Sequence, residues 1–293
     1  MVFPLRGKTI SERSLEFNVI SEALEFIRRY IGKAYVVGYT TRQEALHGLD
    51  ISIDAPGVII AAYQFKAPSS GRNTIYRFKI GDRCWLCSNP NLNLRKQSLK
   101  GIVALLQELG LENKCINQHT LLYTTALMLE RFLSVPVYYA FPLVRDYAEL
   151  ESRTPGIIDF TVLIRVINMP VRTVLDCEPH KVEIELPNNN PNNINVIINS
   201  KPQKLPREKY TTLRKVLTTA IEKKDLPKAK QTIHVSSKEL REILESELRE
   251  RALQEDVEPE LIEKIKSFAK AITEIRYSYR GSALTIKREG KRK

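Results

Sequence analysis

At 293 residues with 43% apolar side chains, the chain has room for one large or two moderate domains around a packed core, as a folded soluble protein. Its net charge of +12 favours a polyanionic partner, since Lys and Arg that neutralise phosphates release counterions, although solubility is the plainer use of basic charge. No run approaches the ~18 uncharged apolar residues of a membrane helix, and MVFPLRGKTISERS lacks the apolar stretch of a signal peptide, so the expectation is a cytoplasmic protein with no membrane partner.

In chain order, LEFNVISEALEFIRRYIG places Ile20, Leu24, Ile27 and Ile31 at spacings of three and four, which predicts an amphipathic helix. AYVVGYT predicts a short strand, TTRQEALHG one or two turns, and LDISIDA, GVIIAAYQFK and IYRFKI further strands. LRKQSLKGIVALLQELG predicts a helix stopped by Gly110, QHTLLYTTALMLERFL a second amphipathic helix, and VPVYYAFPLV a buried strand. Within this run lies the order helix, three strands, helix and strand.

From residue 157, IIDFTVLIRVI, VRTVL, HKVEIEL and INVIIN alternate or run apolar, as strands of a mostly antiparallel layer that extends the first unit. PNNNPNN, residues 187 to 193, reads as an exposed loop. After KPQKLPREK, the segments YTTLRKVLTTAIEKK, SSKELREILESELRERAL and EPELIEKIKSFAKAITEI read as helices, with Ser236 or Ser237 as a cap, Pro259 in a first turn and KREGKRK as a basic tail. Residues 200 to 293 hold 24 Lys and Arg against 15 Asp and Glu, while residues 1 to 199 hold 22 against 19, so most of the positive surplus lies in the C-terminal third. The chain therefore divides into a core over residues 1–150, a β-rich extension over 151–199 and a basic helical domain with a C-terminal tail over 200–293. Few glycines with abundant Lys, Glu, Arg and Ile point to a thermophile.

Four cysteines in a chain of this length are not a disulfide framework. Cys84 and Cys87 in CWLC, with Cys115 and His119 in CINQH, could supply four zinc ligands. A predicted helix separates the two pairs, and buried free thiols are the simpler reading.

The chemistry concentrates in GLDISIDAPGVIIAAYQFK. Side chains two apart on a strand share a face, so Gln64 and Lys66 point together, and the hairpin register decides whether Asp50 joins them. A two-residue loop at Pro56 and Gly57 sets Ala55 opposite Val58 and Asp50 opposite Tyr63, which places Gln64 and Lys66 on the wrong face. A three-residue loop over Ala55, Pro56 and Gly57 sets Asp54 opposite Val58 and Asp50 opposite Ala62, which gathers Asp50, Gln64 and Lys66 on one face. Leu49, Ile51 and Ile53 then point the other way with Tyr63 and Phe65. Because Ala55 precedes a proline, a bulge or longer loop is a further option. A carboxylate holding a hard divalent cation, with the Gln64 side-chain carbonyl or the Phe65 backbone carbonyl completing the shell and Lys66 orienting a water, is suited to phosphodiester hydrolysis.

G-L-D followed, fourteen residues after its Asp, by Q-F-K within this element order resembles the PD-(D/E)XK nuclease superfamily, and within it the Mrr-like branch, where Gln replaces the acid of the last motif. The resemblance covers about residues 15 to 145. It implies an α/β protein with a restriction-endonuclease-like core, a mixed central sheet flanked by helices, carrying here a strand-rich extension and a helical C-terminal region. It also implies cleavage dependent on Mg2+ or Mn2+, with Asp50, Gln64 and Lys66 as catalytic residues and Asp50, Gln64 and the Phe65 carbonyl as metal ligands. Such nucleases add an upstream acid, for which Glu44 in QEALHGLD is the first choice, with a capping box over Thr41 to Glu44 as its alternative, and Glu22 the second.

Gln118 is an additional site candidate on the helix after the Lys strand, with Tyr123 and His119 assigned mainly to structure. Arg72, Arg77, Lys79 and Arg83 alternate with Tyr76 and Phe78 as a nucleic-acid-contacting edge, or as a solvated strand face. The functional expectation is a metal-dependent endonuclease acting on nucleic acid, DNA foremost, in restriction, repair or mobile-element biology. The alternatives are a nucleic-acid-binding protein that does not cleave, and a subunit that forms a homodimer or larger assembly through its C-terminal helices.

Overall fold

A computed structural model of the chain describes residues 9–39, 48–55, 58–72, 74–81, 118–175, 179–199, 202–222, 233–280 and 284–286. Ser11 opens the first helix, α1 (Glu12–Ile31), its hydroxyl accepting from Ser14 N at 3.1 Å, and Leu15, Val19, Ile20, Ala23 and Ile27 form its buried stripe. The strands β1 (Tyr35–Gly38), β2 (Ile51–Ala55) and β3 (Val58–Phe65) follow as an antiparallel meander. After β4 (Ser70–Arg72) and β5 (Ile75–Ile80), α2 (Gln118–Leu133) returns the chain so that β6 (Val137–Pro142) runs parallel to β3.

Beyond β6 come α3 (Tyr147–Arg153), β7 (Thr161–Arg165), α4 (Val171–Leu175), β8 (His180–Glu185), β9 (Asn195–Asn199), β10 (Pro202–Lys204), β11 (Tyr210–Thr212) and α5 (Leu213–Glu222). The chain continues with β12 (Ile233–Val235), α6 (Ser237–Gln254), α7 (Pro259–Arg280) and β13 (Leu284–Ile286). Ser236 is the residue that caps α6, accepting from Glu239 N at 3.1 Å. The segment VRTVL, expected as a strand, is the short helix α4. Its alternation is strand-like, but four of its five residues are buried and Thr173 N closes a turn on Pro170 O at 2.9 Å, so tertiary packing overrides local preference.

The fold is mixed α/β. A six-stranded mixed sheet in the order β1-β2-β3-β6-β7-β11 is flanked by helices, and a five-stranded antiparallel sheet in the order β10-β9-β8-β5-β4 covers part of one face. Both sheets cross the boundaries drawn from sequence at residues 150 and 199. The strands β7 and β11 sit in the first sheet, while β4 and β5 leave it to pair with β8. On one face of the first sheet, α1 and α5 cover Ile51, Ile53, Ala61, Tyr63 and Phe65. On the other, α2 and the second sheet enclose Ala62, Tyr139 and Phe141, and α6 and α7 join the same core through Leu244, Leu248, Ile265 and Phe268. No helix among the described residues is long and apolar enough to cross a membrane.

The β2–β3 register follows neither plain loop reading and takes the bulged option. Ala55 pairs with Val58 and Asp54 with Ile59, as the two-residue loop requires, but Ile53 pairs with Ala61 and Ile51 with Tyr63. Ile60 is the extra residue, a β-bulge that leaves both Ile60 and Ala61 in the core beneath α1. The shift brings Asp50 level with Gln64 instead of Ala62.

The Tyr63 hydroxyl is fully buried in this core, with no hydrogen-bond partner among the described residues, beside the Tyr138 ring at a centroid distance of 6.0 Å. An unsatisfied buried hydroxyl is destabilising, so Tyr63→Phe is expected to raise the unfolding free energy by about 1 kcal/mol. Urea denaturation at pH 7 measures this, and a loss of stability would mean that the hydroxyl has a partner.

Candidate active site

The G-L-D stretch is shaped by α2. Gly48 has a φ of +69°, and a Cβ there would lie 2.8 Å from Leu122 Cβ and 3.3 Å from Gln118 O, so only a bare backbone passes the first turns of the helix. Leu49, expected on the Ile51 face, instead joins Leu122 in the opposite core, because the chain has left strand alternation at this point. Asp50 remains in the ladder through its backbone, donating to Tyr63 O at 3.0 Å and accepting from Tyr39 N at 2.9 Å.

The Asp50 carboxylate receives Gln64 Nε2 at 2.9 Å on each oxygen, and Phe65 N at 2.7 Å on Oδ2. The Phe65 N–H lies past the end of β2, and the carboxylate takes the place of a strand carbonyl there. Gln64 is 1% exposed, and its Oε1 accepts from Gln118 Nε2 at 3.4 Å. The structure thus brings together Asp50, Gln64, the Phe65 main chain and Gln118. The amide orientation is the reverse of the sequence expectation: Gln64 offers Asp50 its nitrogen, so coordination through Gln64 Oε1 requires the amide to turn.

Lys66 N donates to Ala140 O at 3.0 Å, which continues the β3–β6 ladder one residue beyond β3. Ladder parity sends its side chain to the Gln64 face. No carboxylate among the described residues pairs with its ammonium.

The two upstream acids fall elsewhere. Glu44 lies outside the described residues. Glu22 is committed to a loop, accepting from Gly156 N at 2.9 Å and Ile157 N at 3.1 Å, and is not at the site. The acid that α1 brings to the end of β3 is Glu12, whose Oε2 accepts from Ala67 N at 3.2 Å, but α1 packs on the sheet face opposite the Gln64 side chain. Sequence reading missed it, although Ser11 as a helix cap places Glu12 in the first turn, the end of α1 nearest the strand terminus.

As a donor set, one carboxylate with amide and backbone oxygens suits a hard divalent cation that keeps several waters. Among the described residues, no group of three His, Cys, Asp or Glu could hold a metal. Cys84, Cys87 and Cys115 lie outside the described residues. His119 is buried with both ring nitrogens engaged, Nδ1 with the Tyr139 hydroxyl and Nε2 with Thr173 Oγ1, each at 2.9 Å. That arrangement opposes zinc ligation.

The proposed basic edge is mixed. Arg77 is paired with Glu183 at 2.7 Å across β5 and β8, and Lys79 is exposed in register with Lys181. Arg72 belongs to β4, but its side chain is not among those described, and Arg83 lies outside the described residues. Tyr123 is engaged structurally: it accepts from Arg251 Nη1 at 2.9 Å, and burial pushes its pKa up to about 12.

Two measurements test this framework. Gly48→Ala is expected to lower stability by about 2 kcal/mol, from a positive φ combined with contact against α2, and denaturant unfolding reads the loss directly. His119 provides a pH test. Burial foremost, then the positive fields of His180 and Arg251, lower its pKa to about 3. The unfolded chain takes up this proton near pH 6.5 while the folded chain does not, so stability is complete above about pH 6.5 and is lost as the pH falls towards 3, by about 1.4 kcal/mol per unit. His119→Gln is expected to flatten the stability profile between pH 7 and pH 5 by about 2 kcal/mol, and an unchanged slope would assign the proton elsewhere.

Comparisons with protein-family models, with curated proteins and with solved structures find no match to this chain, so the functional argument rests on the geometry of this site.

Proposed function

We propose that the chain is a metal-dependent nuclease that hydrolyses phosphodiester bonds, with DNA as the foremost substrate, on a restriction-endonuclease-like core. The observation that carries this reading is the bulged register, which sets Asp50 level with Gln64 while Lys66 stays on the Gln64 face. Support also comes from the meander of three strands after α1 and the parallel return of β6 beside β3 through α2.

Asp50 would hold Mg2+ or Mn2+ together with Gln64 and the Phe65 carbonyl, and the ion would neutralise phosphate charge and make its bound water more acidic. Lys66 positions the attacking water by hydrogen bonding and stabilises developing negative charge with its ammonium. Coordination through Gln64 Oε1 would require its amide, and the Gln118 amide bonded to it, to turn.

A second reading, a nucleic-acid-binding scaffold that does not cleave, is favoured by the amide orientation: Asp50 already receives N–H groups from Gln64 and Phe65. Incubation with plasmid, single-stranded DNA and RNA in Mg2+, Mn2+ or chelator separates the two. On the nuclease reading, Asp50→Asn and Lys66→Ala each reduce cleavage by about 10³-fold or more, while leaving nucleic-acid affinity within about threefold. Salt-sensitive binding without cleavage in any metal would replace this reading with the second.

A further inference from the structure

Arg153, in the last turn of α3, is the one Arg, Lys, Asp or Glu side chain among the described residues that is buried, at 7% exposure. Other partly enclosed arginines have carboxylates: Arg165 pairs with Glu130, Arg172 with Glu258 and Arg251 with Glu255. Arg153 pairs with none among the described residues. Its Nη2 donates to the Tyr76 hydroxyl at 2.7 Å and to Asn189 Oδ1 at 3.0 Å, whereas its Nη1 is buried with no hydrogen-bond partner among the described residues. The guanidinium also lies 4.6 Å from the Phe160 ring centroid and 5.5 Å from that of Tyr76. Neutral partners and ring faces compensate a desolvated guanidinium only partly, and an opposite charge is the missing element.

Arg153 borders a cavity of about 300 Å³ that Arg145, Glu149, Ser152 and Thr74 also line. The Glu149 carboxylate is already engaged. It accepts from Arg145 N at 2.7 Å, Arg145 Nε at 3.0 Å and the Tyr76 hydroxyl at 3.1 Å. Two guanidiniums against one committed carboxylate leave the walls one positive charge in surplus. Guanidinium, hydroxyl and amide groups from separate elements surround the space, which suits an anion with several terminal oxygens pointing in different directions. A bare phosphate does not fill this volume, so there is room for the group that carries it.

We propose that this cavity is a binding site for a phosphate group, presented either by the end of a nucleic-acid strand or by a free phosphate. The site is separate from the Asp50 cluster and does not require cleavage there. Calorimetric titration and thermal unfolding of the full chain in chelator test it, using sodium phosphate against chloride at equal ionic strength. One oligonucleotide with a 5′-phosphate or a 5′-hydroxyl end then distinguishes the sources. Phosphate is expected to bind saturably and raise Tm where chloride does not. Ser152→Glu, which adds a carboxylate at an exposed position on the rim, is expected to weaken phosphate at least about tenfold without lowering the phosphate-free Tm. Arg153→Gln is expected to act in the same direction, and the exposed Ser152 variant keeps the test independent of folding. A preference of about tenfold for the phosphorylated end assigns the strand terminus; equal binding of both oligonucleotides, with inorganic phosphate still bound, assigns a free phosphate. Absence of a saturable phosphate effect, or one unchanged in Ser152→Glu, overturns the proposal.

Discussion

One extra residue in β3 controls everything polar at the sheet's end. With Ala55 paired to Val58 and no bulge, Asp50 would face Tyr63 and share no side with Gln64 or Lys66, because a one-residue slip exchanges the two faces of a strand. Ile60 absorbs the slip. It can do so because both Ile60 and its neighbour Ala61 are buried in the core beneath α1, at 6% and 0% exposure. Apolar packing on one face of the sheet therefore sets the acid–amide pairing on the other.

The opposite face constrains the same residues through α2. Gly48 passes close to Leu122 and the Gln118 carbonyl, fixing the approach of the chain to Asp50. The start of α2 is itself anchored by His119, which bonds Tyr139 on β6 and Thr173 on α4, so Gln118 is presented to Gln64 from a fixed backbone. Further along the helix, Thr124 and Thr125 are buried, but each returns its hydroxyl to the carbonyl four residues back, at 3.0 Å, and adds no unsatisfied polar group. Asp50 serves a structural end as well, because its carboxylate satisfies the Phe65 N–H where β2 has stopped. The structural cap and the proposed cation ligand ask for the same carboxylate in the same place.

Much of this was legible in the sequence wherever a local period carried the information. The helices α1 and α2 and the strands around them follow from apolar spacing, and Asp50 and Gln64, singled out fourteen residues apart, do hydrogen-bond, though at a register that neither plain loop reading gave. Pairing between distant segments was not legible: nothing in IYRFKI signals that it leaves the first sheet to join HKVEIEL. VRTVL misled because β-branched alternation reads as a strand when the burial of nearly every residue in it is hidden. The acid of α1 was misplaced for a related reason. Glu22 and Glu12 lie on one helix, but only the helix terminus reaches the strand end, and which end does so is decided by tertiary packing.

The segment that opens α1 also joins two regions with separate proposed roles. Because β3 and β6 are parallel, the residues that follow each of them emerge at the same edge of the sheet. Ile10 N donates to Arg145 O at 3.4 Å, Thr9 bridges to Asp146, and Glu12 receives Ala67 N at 3.2 Å, so residues 9–12 span from the end of β6 to the end of β3. Lys66 stands at one of these ends and Arg145 at the other, on backbones tied to the same short stretch. The Asp50 cluster and the Arg153 cavity are thus carried by backbone segments that contact the same short stretch, although no side chain is common to both.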